Sequence, residues 1–251
     1  MMRAGMILGL LGALSTMEDP PKPAPVLVEL FTSEGCSSCP SADALLEELD
    51  RTQPAPGAHA VVLSEHVDYW NQLGWKDPYS SAAFSSRQSE YAAKFHLFSP
   101  YTPQMVIDGN VEVLGSDGAA VRKAVTRAAG ARRLTIRILE TRRDGADVAV
   151  RLHADPISAD ARLGHTDVWV ALAAERETSH VLRGENSGRT LAHVAVVIQL
   201  RKIGKIDKSQ GYAAEVRLPT NGAAGALRVV AFLQLPGLGS VVGVDATPVL
   251  R

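Results

Sequence analysis

The chain reads as an α/β unit followed by an all-β, sandwich-like unit. Three observations carry this. Apolar residues make up 46 % of the 251 positions and charged residues 21 %, the composition of a chain that buries a core. Up to about residue 130, short apolar runs alternate with segments of helical periodicity. Beyond it, only extended patterns separated by Gly, Asp and Asn turns recur. The boundaries expected are 26–130 for the first unit and 131–251 for the second. The formal net charge is −1, so no basic field exists to grip a phosphate backbone, and nucleic acid is not an expected partner. The charge is unevenly divided: nine Lys/Arg face fifteen Asp/Glu in 1–130, against seventeen and twelve in 131–251. Mutual attraction of two units accounts for this more simply than a charged partner does.

Residues 1–17 (MMRAGMILGLLGALSTM) combine an early Arg3, an apolar run and small residues at Ala13 and Ser15. That is the pattern of a secretory signal, and the run is too short to span a bilayer. A periplasmic or secreted location follows as an expectation, with no stable membrane span after signal removal. Residues 18–25 form a proline-rich lead-in that cannot be helical.

Val26–Phe31 is a β-rich apolar run, Thr32–Gly35 a turn, and Cys36–Asp50 carries Ala42, Leu45, Leu46 and Leu49 at helical spacing. Pro40 suits a first helical turn. Cys36 is expected at the helix mouth and Cys39 one turn inside. These are the only two cysteines. A bridge closing so small a ring restrains little of the unfolded chain, so redox chemistry explains a C-x-x-C pair better than structural cross-linking does. Unpaired amides and the helix dipole would lower the Cys36 thiol pKa, making Cys36 the attacking sulfur and Cys39 the resolving one.

Thr102-Pro103 directly precedes an expected strand (Met105–Ile107), an Asp-Gly turn and a second strand (Val111–Leu114). Together with the C-x-x-C pair, this resembles the thioredoxin fold, in which a cis-proline faces the C-x-x-C helix. The resemblance implies that Thr102 and Pro103 hold a partner backbone beside the sulfurs. FTSEGCSSCPSAD (31–43) and EHVDYWNQLGWKDPYSS (65–81) further resemble a secreted bacterial family known as domain of unknown function 1223, a likeness that runs almost to the C-terminus and implies a thioredoxin-like fold without a substrate. Gly35 stands where thioredoxins carry Trp, so no redox poise transfers with the likeness.

Nine of thirteen aromatics fall between Tyr69 and Tyr101. Trp70 and Trp75 are candidate substrate-binding residues, in a segment that either walls a ligand site or fills a satellite core. Ser85–Lys94 is an expected helix, as is Asp117–Ala129. His66, at the end of an expected strand over Ala60–Ser64, could complete a Cys36/Cys39/His66 set for Cu(I); a hydrogen-bonded loop histidine is the plainer reading. Ser64, His66 and Asp68 alternate along an extended chain and do not make a hydrolase triad.

Seven extended segments follow: Leu134–Glu140, Asp147–Leu152, Asp167–Ala173, Leu191–Lys202, Tyr212–Leu218, Ala226–Leu235 and Val241–Val244. Gly184–Arg189 is an expected turn whose Arg183 and Arg189 make a weak anion-site candidate. Arg201–Lys208 is expected as a hairpin tip, and Gly237–Gly243 as a hairpin turn rather than a dinucleotide loop. The leading expectation is a thiol–disulfide oxidoreductase without a cofactor, its partner a protein or small-molecule thiol or disulfide. A copper-delivery protein and a non-enzymatic interaction module are the alternatives.

Overall fold

The computed structural model describes residues 22–131, 133–158 and 163–250; the expected signal segment, 1–17, lies outside them. Strand outweighs helix. Strand β1 (Ala24–Thr32) leads through a tight turn to helix α1 (Pro40–Thr52) and strand β2 (Ala58–His66). A long loop with one 3-10 turn precedes α2 (Ala82–Lys94), β3 (Gln104–Ile107), β4 (Val111–Leu114) and α3 (Gly118–Ala129). Seven strands complete the described chain: β5 (Ile136–Asp144), β6 (Asp147–Ala154), β7 (His165–His180), β8 (Thr190–Asp207), β9 (Tyr212–Pro219), β10 (Leu227–Gln234) and β11 (Val241–Pro248).

Eight strands form one mixed sheet in the order β11-β10-β7-β8-β2-β1-β3-β4, and β5-β6-β9 form a separate antiparallel sheet. This overturns the expectation of a thioredoxin-like α/β unit followed by a self-contained sandwich. β8 lies parallel to β2, with Ser64 opposite Val196, so strands from both sides of residue 130 share one sheet, and only three of the seven later strands build a sheet of their own. The physical reason is edge pairing. Alternation along a strand tells which face is buried, whereas the choice of neighbour is made by backbone groups common to every sequence.

The sheet positions its own cover. Val26, Val28 and Leu30 of β1 meet Ala42, Leu45, Leu46 and Leu49 of α1 and Val121 and Val125 of α3. Farther along the same face, β7, β8 and β10 pack on the small sheet through residues such as Val150, Leu152, Val170, Leu172 and Val229. The opposite face carries α2, whose buried Phe84, Arg87, Gln88, Tyr91 and Ala92 follow helical spacing. Here β1 buries Glu29, which accepts hydrogen bonds from Arg87 Nε (2.6 Å) and Tyr91 Oη (2.7 Å). Nearby Glu65 is wholly buried, and burial followed by the Glu29 charge pushes its carboxyl well above the usual range.

Two local expectations need correcting. α1 begins at Pro40, not Cys36, with Cys39 as its N-cap residue; the proline has no N–H to pair and starts the helix without penalty. Arg201–Lys208, expected as a hairpin tip, is instead the continuation of β8 as far as Asp207, which pairs opposite His165 of β7.

Candidate functional site

Cys36 and Cys39 are joined in a disulfide in the turn between β1 and α1. The turn uses their amides: Cys36 N–H donates to Ser33 O and Cys39 N–H to Cys36 O, each at 3.2 Å. The Ala42 and Asp43 amides of α1 make the first helical bonds, both to the Cys39 carbonyl. Both cysteines are wholly buried, while Ser37 and Ser38 between them are exposed. Ser38 Oγ lies 3.4 Å from Cys36 Sγ.

The other residues expected at the site gather around this turn. The Thr102–Pro103 peptide bond is cis. Pro103 stands beside the first turn of α1: a Cβ on Gly115 would lie 3.2 Å from both Pro103 Cβ and Ala42 Cβ. Trp70 bridges the two segments. Its Nε1 donates to Thr102 Oγ1 at 2.9 Å, and its Cβ would be 3.0 Å from a Cβ on Gly35, so only glycine fits before Cys36 without movement. Trp75 Nε1 donates to Glu34 Oε2 at 2.7 Å. Most of the aromatic segment serves packing: Tyr69, Trp70, Tyr91 and Phe95 share a satellite core with Phe31, and Phe98 alone of the nine is fully exposed.

Sequence reasoning missed the groups that close the site. Glu34 is buried and accepts from Ser179 Oγ as well as Trp75. Burial works to raise its carboxyl, but His193, Ser179 and Trp75 outweigh it and leave the pKa lowered. Asp77 accepts the Glu34 N–H at 2.8 Å and contacts His66 Nδ1 at 2.7 Å; its burial is likewise overcome by His66, and its pKa is lowered. His193, from β8, sits between Glu34 Oε1 (3.4 Å) and Asp43 Oδ1 (3.6 Å), with the His66 ring edge-on at 4.7 Å. Desolvation opposes its protonation, yet the two carboxylates prevail and raise it to about 10.

The β7–β8 turn completes the enclosure. Asn186, 1 % exposed, donates through Nδ2 to Glu34 O (2.8 Å) and Cys36 O (2.9 Å), and Arg189 Nη1 donates to its Oδ1 at 2.7 Å. Glu185 Oε2 accepts the Ser37 N–H at 3.0 Å. Arg189 is thus engaged within the turn that the sequence marked as a weak anion-site candidate. Glu34 and Asp77 were visible within the quoted motifs, but nothing in the sequence linked residues 185, 186 and 193 to the cysteines.

The alternative Cys36/Cys39/His66 metal set is not assembled. The sulfurs are bonded to each other, His66 contacts Asp77, and no group of three or more His, Cys, Asp or Glu side chains among the described residues is placed to hold a metal. No described helix is long and apolar enough to cross a membrane.

Comparison with solved structures finds a protein from Agrobacterium tumefaciens, AGR_C_4864, at 26 % identity and TM-score 0.66, covering 92 % of this chain and 96 % of that one. HBP35 of Porphyromonas gingivalis is similar in fold at 11 % identity and TM-score 0.63, covering 92 % of this chain and 77 % of its own. No curated protein matches significantly. The model of the protein family of unknown function DUF1223 matches residues 27–234, and the chain belongs to that family.

Proposed function

We propose that the protein is a periplasmic or secreted thiol–disulfide oxidoreductase working through Cys36 and Cys39. The observation that carries this reading is a disulfide closed within a C-x-x-C turn at the start of α1, with Trp70 linking that turn to the cis Thr102–Pro103 segment. A short-range bridge contributes little as a cross-link, so its value lies in exchange.

In the oxidising direction a partner thiolate attacks Cys36 Sγ, the Cys36–Cys39 bond breaks, and Cys39 leaves as the thiolate. A second partner thiolate then attacks the partner sulfur of the mixed disulfide and releases Cys36. The partner loses two electrons and the pair gains them; reductive exchange runs the same steps backwards. Because both cysteines are buried, exchange requires a local opening, and the β7–β8 turn, clamped to the Cys36 carbonyl and the Ser37 amide, is the element we propose to move. Trp70, which packs on Gly35 and donates to Thr102, and Trp75, which donates to Glu34, are the candidate contacts for the partner in this reading.

The test is turnover of a disulfide substrate such as insulin. Wild type is expected to turn over, Cys36→Ser to be inactive, and Cys39→Ser to accumulate a mixed disulfide on Cys36. An inert wild type, or full activity in either variant, would contradict the mechanism.

A further inference from the structure

We infer that Glu185 sets the redox poise of the Cys36–Cys39 pair, making it more reducing than the turn alone would. The inference rests on the reading that the pair cycles between oxidised and reduced forms. On reduction, negative charge appears at Cys36, and two nearby donors could stabilise it: the Ser38 hydroxyl, 3.4 Å from Cys36 Sγ, and the Ser37 amide, next in the chain. The Ser37 N–H already donates to Glu185 Oε2 at 3.0 Å. Two effects of one sign follow. The amide is occupied, and an anion is held on the residue that directly follows Cys36. Both disfavour the reduced form.

Glu185 is not placed there by chance orientation of a surface side chain. Its neighbour Asn186 is buried and clamps Glu34 O and Cys36 O, and Arg189 holds Asn186 in turn. Of the other charged groups around this corner, Glu34 and Asp43 flank His193, Asp77 contacts His66, Arg189 is on Asn186, and Arg183 of the same turn is exposed. Glu185 is the group among these that faces the Ser37 amide, and it is exposed. Its effect is therefore modest and sensitive to salt.

Glu185→Gln separates charge from anchoring, since the amide oxygen still accepts from Ser37; Glu185→Ala removes both. The measurements are the reduction equilibrium of the full chain against dithiothreitol and the pKa of the Cys36 thiol. Glu185→Gln is expected to shift the equilibrium toward the reduced form by about two- to fivefold at low ionic strength, the range of an exposed charge pair. That corresponds to about 10–20 mV for a two-electron couple. The thiol pKa should fall, and the difference from wild type should shrink in molar salt. Glu185→Ala should shift the equilibrium at least as far. Wild-type equilibrium and thiol pKa in both variants at low salt would overturn the inference. A small reductant reports the poise whether or not the protein turns over a disulfide substrate, so failure of the proposed function would show in turnover and failure of this inference in the equilibrium.

Discussion

Asn186→Ala probes the closure of the site. The side chain is 1 % exposed and makes two hydrogen bonds to main-chain carbonyls about 150 residues away in sequence. The two losses differ. The Cys36 carbonyl keeps the Cys39 N–H, so its lost bond is worth about 0.5–1.5 kcal/mol. The Glu34 carbonyl loses its side-chain donor inside the protein, at about 1–3 kcal/mol for a buried polar group left unpaired. Arg189 can turn to solvent, so its lost contact adds little. The variant should therefore be about 2–4 kcal/mol less stable in urea titration with an unchanged m-value. It should also be reduced faster by a small phosphine under native conditions, because the cysteine turn loses its clamp on the Cys36 carbonyl and opens more often. Stability within about 0.5 kcal/mol of wild type, a difference typical of surface substitutions, together with an unchanged reduction rate, would refute the reasoning.

Two further predictions concern the buried charges. Arg87→Met removes the cation that Glu29 and Glu65 share and leaves Glu29 buried with the Tyr91 hydroxyl and the Glu65 carboxyl; it should destabilise by about 3–5 kcal/mol, and Glu29→Leu in the same chain should recover most of that. A loss below about 1 kcal/mol in the single variant would contradict the pairing. His193 has its pKa raised from 6.5 to about 10 by Asp43 and Glu34 against desolvation, so its stabilising contribution is complete below pH 6.5 and fades as pH rises toward 10. His193→Gln should flatten the fall of stability across that window in pH-dependent urea titrations, and an unaltered slope would contradict the assignment.

The segments that the fold brings near the cysteine turn were legible because their signals are local. A C-x-x-C pair, a proline ahead of a β-hairpin and a Trp-rich loop each occupy a few consecutive residues, and the fold brings them together. The helix α2 was legible over Ser85–Lys94 and begins three residues earlier, at Ala82. What the sequence concealed lies in pairings across long separations. Asn186 reaches Cys36 over 150 positions and Glu185 reaches Ser37 over 148, and a turn sequence says nothing about where its side chains dock. The merger of the two halves was hidden for a related reason. The Val194–Val197 run of β8 reads as an apolar strand, yet only the backbone edge of β2 determines that it joins the larger sheet. The exact start of α1 escaped as well, because Leu45, Leu46 and Leu49 define a helical face without fixing whether the first turn begins at Cys36 or Pro40.

Reversible exchange by the buried disulfide is the claim on which this account stands, and a redox titration of the full chain tests it most directly. Thiol content, followed by mass after alkylation across graded dithiothreitol and glutathione buffers, should give one reversible two-electron transition with a potential between about −270 and −120 mV, the span of known exchange dithiols. A pair that stays oxidised in the strongest of these buffers while the protein remains folded would contradict it.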